Sequence, residues 1–153
     1  MMLSFREAVS TDLEAILALY SQLVDEDRQL PRSRAKEIFS RIQLCPGHRL
    51  LLGISKGAPV CICTLLTIDN LSRGGASYAL IENVVTDERH RRCGYARALL
   101  DHAVELAWEA GCYKVMLMTG AQDAGTLRFY QRCGFISQKT AFERRRQPVR
   151  DES

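Results

Sequence analysis

Three observations on the 153-residue chain predict an α/β fold built on a mixed sheet. Strand-like runs alternate with amphipathic helical stretches along the whole length. Lys56-Gly57 separates two apolar runs, as a tight antiparallel turn does. Gly111 and Gly134 each follow a helical stretch, where a left-handed residue closes a helix at least cost. The element order reads βααβββαβαβ, with a further strand if the carboxyl-terminal run divides.

Taken in order, "LSFREA" (3–8) alternates apolar and polar residues as a strand does. Thr11-Asp12-Leu13-Glu14 has the form of a capping box. Leu13, Ile16, Leu17, Tyr20, Leu23 and Val24 then follow at helical spacing. A weaker helix is expected over 32–43, ended by Cys45-Pro46-Gly47. The apolar runs 49–55 and 59–68 make a hairpin about Lys56-Gly57. Tyr78–Thr86 ends in β-branched residues and is interrupted only by Glu82 and Asn83. A second amphipathic helix runs over 94–110, burying Leu99, Leu100, Ala103, Val104, Leu106 and Ala107. A buried strand at 113–118, a short helix at 124–133 and one or two strands in "FISQKTAFERR" (135–145) complete the order.

A composition of 46% hydrophobic and 25% charged residues suits one compact domain, expected over 1–146 with a short polar tail at 147–153. "MMLSFREAVSTD" lacks a basic-then-apolar signal segment, so the six cysteines are expected to be reduced thiols in a cytoplasmic protein. Cys61-Ile62-Cys63 alternates on a strand, and the three histidines have no ligand spacing to it; no metal is expected. No run reaches the roughly 20 apolar residues of a membrane span. A net charge of +3 argues against nucleic acid as a partner. Arg144-Arg145-Arg146 is expected to be a solvated strand end.

The stretch that asks for chemistry is "RRCGYARALL" (91–100), a basic turn between a strand and a helix. The first N–H groups of a helix lack internal partners and lie at the positive end of its dipole, so they bind phosphate. Gly94 lets a ligand approach the backbone, Ala96 keeps the surface flat, and Arg89, Arg91, Arg92 or Arg97 can pair with an anion. Alone, one glycine among arginines is equally an ordinary helix start.

Arg91-x-x-Gly94-x-Ala96, preceded by "IENVVTDERHR" and followed by "AGCYKVMLMTGAQDAGTLRFYQRCGF", resembles the GNAT superfamily of acetyl-CoA-dependent N-acetyltransferases, whose signature is Q/R-x-x-G-x-G/A. "IENVV" and "GCYKVMLM…FYQRCGF" are similar to the glucosamine-6-phosphate N-acetyltransferase branch. The chain departs from that branch in a longer 119–126 loop, and has Asp123 where the family commonly has Asn. The resemblance implies a mostly antiparallel mixed sheet of six or seven strands with about four helices. It also implies a slot between two splayed parallel strands, Tyr78–Thr86 and 113–118. Acetyl-CoA would be the co-substrate. Its pantetheine arm would pair with the backbone of Val84 and Val85 as an added strand does. Its pyrophosphate would lie on Arg91, Arg92, Cys93, Gly94, Tyr95, Ala96 and Arg97. Asp123 and Tyr130 would also bind it, and a backbone N–H near Val84 would stabilise the oxyanion.

Glu82 is the candidate base for the amine proton, and equally reads as a strand-face carboxylate paired with an arginine. Asn83 and Asp123 are lesser candidates for orienting water or the acceptor. Tyr130 aligns with the family's general acid for the leaving thiolate; alternatively it is a core aromatic beside Phe129 and Leu127. Cys93 and Cys133 have no histidine placed to activate them, so direct transfer is expected and Cys93 fills the turn. The acceptor is expected to be a small amine against the first two helices, with Asp25, Glu26 and Asp27 for an ammonium and Arg28, Arg32 and Arg34 for an anionic group. A peptide or protein acceptor, a non-catalytic acetyl-CoA sensor and a homodimer are further readings.

Overall fold

The computed structural model describes residues 2–23 and 30–146. Asp25, Glu26, Asp27 and Arg28, and the tail 147–153, lie outside the described residues. The chain divides into two compact units, 1–117 and 118–153, and each is taken by itself.

The first unit holds a sheet ordered β1-β2-β3-β4-β5. Its strands are β1 (Leu3–Glu7), β2 (His48–Ser55), β3 (Ala58–Ile68), β4 (Tyr78–Thr86) and β5 (Val115–Leu117). The first four are antiparallel neighbours, and β5 runs parallel to β4. The β2–β3 loop is Lys56-Gly57, with φ of +50° and +78° at its two residues, the left-handed pair that a two-residue hairpin requires.

Side-chain alternation divides the sheet between two helical layers. Leu50 and Leu52 of β2, Ile62 of β3 and Val85 of β4 face α1 (Leu13–Tyr20) and α2 (Arg32–Leu44). There they meet Leu13, Ile16, Leu19, Ala35 and Phe39. Residues of the opposite parity, Leu51, Cys61, Cys63, Leu65 and Ile81, are fully or almost fully buried, as are Leu99, Leu100 and Ala103 of α3 (Tyr95–Glu109). On that side Phe5 stacks on His102 of α3 with ring centroids 4.8 Å apart. Burying each of these large aliphatic side chains stabilises the fold by about 1.5–3 kcal/mol.

Two local expectations are corrected. Thr11 does not cap the first helix: Asp12 accepts from the Val9 N–H at 2.8 Å, closing the Ser10–Asp12 turn, and is held by Arg6 at 2.6 Å. The helix itself ends at Tyr20, short of Leu23.

The second unit is built around α4 (Ala124–Arg132). Asp123 caps it by accepting from the Thr126 N–H at 2.8 Å, and Gly134, at φ +85°, follows it. The sheet has five strands rather than six or seven, because residues 135–146 form no ladder. Ile136 and Phe142 of this segment are 73% and 93% exposed. Alternation alone does not make a strand; a strand needs a neighbour to take its N–H and C=O groups, and the described residues of this unit contain no other strand.

Candidate functional site

The β4–β5 ladder covers only Ala79–Val115, Leu80–Met116 and Ile81–Leu117. From Glu82 onward the described residues pair β4 with β3 alone, leaving the other edge of 82–86 open. The ladder stops there because β5 itself ends at Leu117.

Just beyond the end of that ladder β4 carries a bulge. Thr64 pairs with Glu82 and Ile62 with Val85, so the single residue Cys63 faces both Asn83 and Val84. Asn83 has φ +52°, a left-handed conformation that Asn tolerates better than other non-glycine residues. The extra residue inverts the alternation: Glu82 and Val85 share the α1/α2 face, which strict alternation would forbid. In the sequence Asn83 reads as a break in the strand and a lesser candidate for orienting water or the acceptor, not as a bulge. The available signal was an Asn, with its left-handed tolerance, inside a β-branched run.

Glu82 is half-buried, and its carboxylate forms no hydrogen bond or ion pair with any described residue. The arginine-paired alternative therefore has no support among them. Its neighbour Thr64 is 4% exposed, and the Thr64 hydroxyl lies 3.5 Å from that of Tyr20, the last residue of α1. Burial raises the Tyr20 phenol above its ordinary range, so it stays neutral.

β4 leads directly into the basic turn. Asp87 is 6% exposed. It accepts from the Arg89 backbone N–H at 2.9 Å and from its guanidinium at 3.0 and 2.8 Å. Those side-chain bonds hold the Asp87 carboxyl far below the usual carboxylate range. Arg89 is thereby committed to Asp87. The Glu88 N–H donates to Gln22 Oε1 at 2.9 Å, tying the turn to the segment just after α1.

Arg91 donates weakly to the Thr86 carbonyl at 3.4 Å, and Arg97 lies 3.9 Å from Asp101; Arg92 has no ion-pair partner among the described residues. Arg92 (φ +61°) and Gly94 (φ +78°) are both left-handed, and together they fold the backbone over the start of α3. The first bond within α3 runs from the Ala98 N–H to Gly94 O, so the N–H groups of Tyr95, Ala96 and Arg97 precede the helix's own ladder. No acidic residue lies in this first turn and no side chain caps it. Three arginines in the sequence about the positive end of a helix dipole favour an anion there. Cys93 is exposed at the centre, its thiol 3.5 Å from Arg91 O. Tyr95 is buried and stacks on His90 at 6.3 Å.

In the second unit, Tyr130 is half-buried and packs edge-on against Phe129 at 5.1 Å and Phe135 at 6.4 Å. Burial chiefly, and Cys133 secondarily, raise its phenol above the ordinary range. It is thus an aromatic packing residue that also keeps its proton. Burial pushes the thiols of Cys61 and Cys63 up to about 11 and about 12, which makes them inert at neutral pH. Of the expected acceptor arginines, Arg32 is paired with Glu14 and Arg34 with Glu37 at 2.7 Å. Among the described residues no group of three metal-ligating side chains comes together, and no helix is long and apolar enough to cross a membrane.

The described geometry has counterparts in known proteins. A protein of Agrobacterium tumefaciens str. C58 assigned as an acetyltransferase superposes with a TM-score of 0.91 at 42% identity, covering 94% of this chain and 99% of that one. A transcriptional regulator from Bacillus halodurans C-125 superposes at 0.85 with 27% identity, over 94% and 99% of the two chains. Glucosamine 6-phosphate N-acetyltransferase of Trypanosoma brucei brucei is 34% identical over 79 residues, a match that spans 52% of this chain and 52% of that relative. The chain thus aligns with about half the length of this curated relative. The model of the acetyltransferase (GNAT) family matches residues 13–135. With the bulged, half-open β4 and the arginine turn at the head of α3, this match over most of its length makes the chain a member of the GNAT acetyltransferase family.

Proposed function

We propose that the protein transfers an acetyl group from acetyl-CoA directly to a primary amine of a small molecule. The observation that carries this reading is the continuity of the β4 edge beyond the β5 ladder with an arginine turn whose backbone N–H groups precede the ladder of α3. The open edge suits an extended pantetheine arm at Val84 and Val85, and the turn from Arg91 to Arg97 suits its pyrophosphate.

The neutral amine attacks the thioester carbon, forming the C–N bond while the carbonyl oxygen gains negative charge. A backbone N–H beside the bulge at Val84 stabilises that oxyanion. Glu82, without a competing partner among the described residues, takes the proton the amine loses, directly or through water. The C–S bond then breaks, and Tyr130, whose phenol is kept protonated, returns a proton to the coenzyme A thiolate. Asp123 caps α4, the helix that carries Tyr130. Similarity to glucosamine 6-phosphate N-acetyltransferase supports an aminosugar phosphate as the acceptor class. The Arg32 and Arg34 ion pairs are solvent-exposed, so they cost little to exchange for a substrate anion.

The similarity to a transcriptional regulator supports a second reading, an acetyl-CoA-binding sensor without turnover. An acceptor screen with acetyl-CoA, following free thiol over aminosugar phosphates, polyamines, amino acids and peptides, separates the two. Release with small amines supports the enzyme, and ligand binding without release supports the sensor. Release with peptides alone overturns the acceptor class.

A further inference from the structure

The hydroxyls of Tyr20 and Thr64 have no task in the scheme above, yet they lie on the sheet face that carries Glu82. Thr64 is the cross-strand partner of Glu82, so their side chains leave the sheet on the same side. Thr64 is 4% exposed, and its hydroxyl meets that of Tyr20 at 3.5 Å, with either atom able to donate. The Tyr20 ring packs against the α1/α2 core, which fixes the direction of the phenol. When the Tyr20 O–H donates to Thr64, the phenol oxygen keeps lone pairs for another donor.

A neutral primary amine has two N–H groups and one lone pair. Holding both N–H groups aims the lone pair, and aiming it at the thioester carbon is an orientation requirement of attack. We infer that Tyr20, oriented by Thr64, is the second N–H acceptor beside Glu82, and that this pair of acceptors selects primary over N-methylated amines. Tyr20 is a positioning residue here and takes no proton. The inference rests on the reading of Glu82 as the base facing the acceptor.

The probes are glucosamine 6-phosphate, putrescine and glycinamide, each tested beside its N-methyl derivative with acetyl-CoA. The wild-type protein is expected to prefer the primary amine by about 100-fold or more in kcat/KM, the discrimination that an unmade hydrogen bond and a displaced methyl group together produce. Tyr20→Phe keeps the ring, removes the oxygen and leaves room for the methyl group. It should bring the preference within about tenfold, mainly by raising KM for the primary amine. The melting shift with acetyl-CoA should not change. Thr64→Val should act in the same direction, and Thr64→Ser, which keeps the hydroxyl, should restore the preference. A wild-type preference retained in both Tyr20→Phe and Thr64→Val overturns this inference and leaves acetyl transfer standing. A loss of acetyl-CoA binding in Tyr20→Phe also overturns it, because the role is then structural. A wild-type protein that acetylates none of the probes overturns the small-amine acceptor class and this inference together.

Discussion

Replacing Gly94 separates the cost of the turn's backbone from the energy of the anion it is built to hold. Gly94 has φ +78° and ψ 4°, and a Cβ added there would meet nothing within 4 Å. A side chain at this position is therefore penalised by the left-handed backbone alone, about 1–2 kcal/mol. For a chain of this size each kcal/mol moves Tm by about 2–4 °C, so Gly94→Ala should melt about 2–8 °C below wild type without ligand. Gly94→Glu pays the same backbone cost, partly offset because its carboxylate sits at the positive end of α3. Acetyl-CoA at about 100 times its Kd stabilises the wild type by about 2.7 kcal/mol, an upward shift of about 5–11 °C. In Gly94→Glu that shift should vanish, since the new carboxylate lies where the pyrophosphate is placed. Differential scanning fluorimetry of the three proteins with and without acetyl-CoA reads both numbers. A wild-type-sized ligand shift in Gly94→Glu would refute the assignment of the turn.

Further outcomes follow from the bulge, the turn and α4. Asn83→Gly should be tolerated, whereas Asn83→Val, a β-branched residue at φ +52°, should cost about 1–2 kcal/mol and lower turnover by disturbing the bulge that orients Glu82; urea titration beside kcat measures both, and equal effects of the two changes would count against the bulge. Tyr130→Phe keeps the ring contacts and removes the proton, so thiol release should fall about 100-fold with acetyl-CoA binding intact, and unchanged turnover would return Tyr130 to a packing role. Asp87 has a lowered carboxyl pKa in the fold, so the stability it contributes is complete above its unfolded pKa of about 3.9 and is lost as pH falls through the folded value. Asp87→Asn should therefore melt below wild type from about pH 5 upward, and the gap should narrow as pH falls below about 4; a gap independent of pH would assign the loss to packing.

Much of this was legible in the sequence because it is a property of one segment at a time. The helix expected over 94–110 is observed at Tyr95–Glu109 and that over 32–43 at Arg32–Leu44, since a 3.6-residue apolar period needs no knowledge of the partner. The Lys56-Gly57 hairpin was equally local. What was not legible belongs to pairs of segments. The bulge exists only in the register of β4 against β3, and the commitment of Arg89 to Asp87 only in the geometry of the turn. The alternation in 135–145 suggests a strand, but a ladder requires a neighbouring edge that periodicity does not reveal. The Tyr20–Thr64 contact joins residues 44 positions apart and had no sequence signal.

The most direct test of acetyl transfer with Glu82 as base is the pH dependence of acetylated-amine formation, measured by mass spectrometry beside free thiol in the wild type and in Glu82→Gln. The expected result is one acetylated primary amine per thiol released. Glu82→Gln should show its largest loss near neutral pH and a smaller one at high pH, where more of the amine is already deprotonated. Thiol release without acetylated amine, or a Glu82→Gln profile parallel to wild type at every pH, would contradict it.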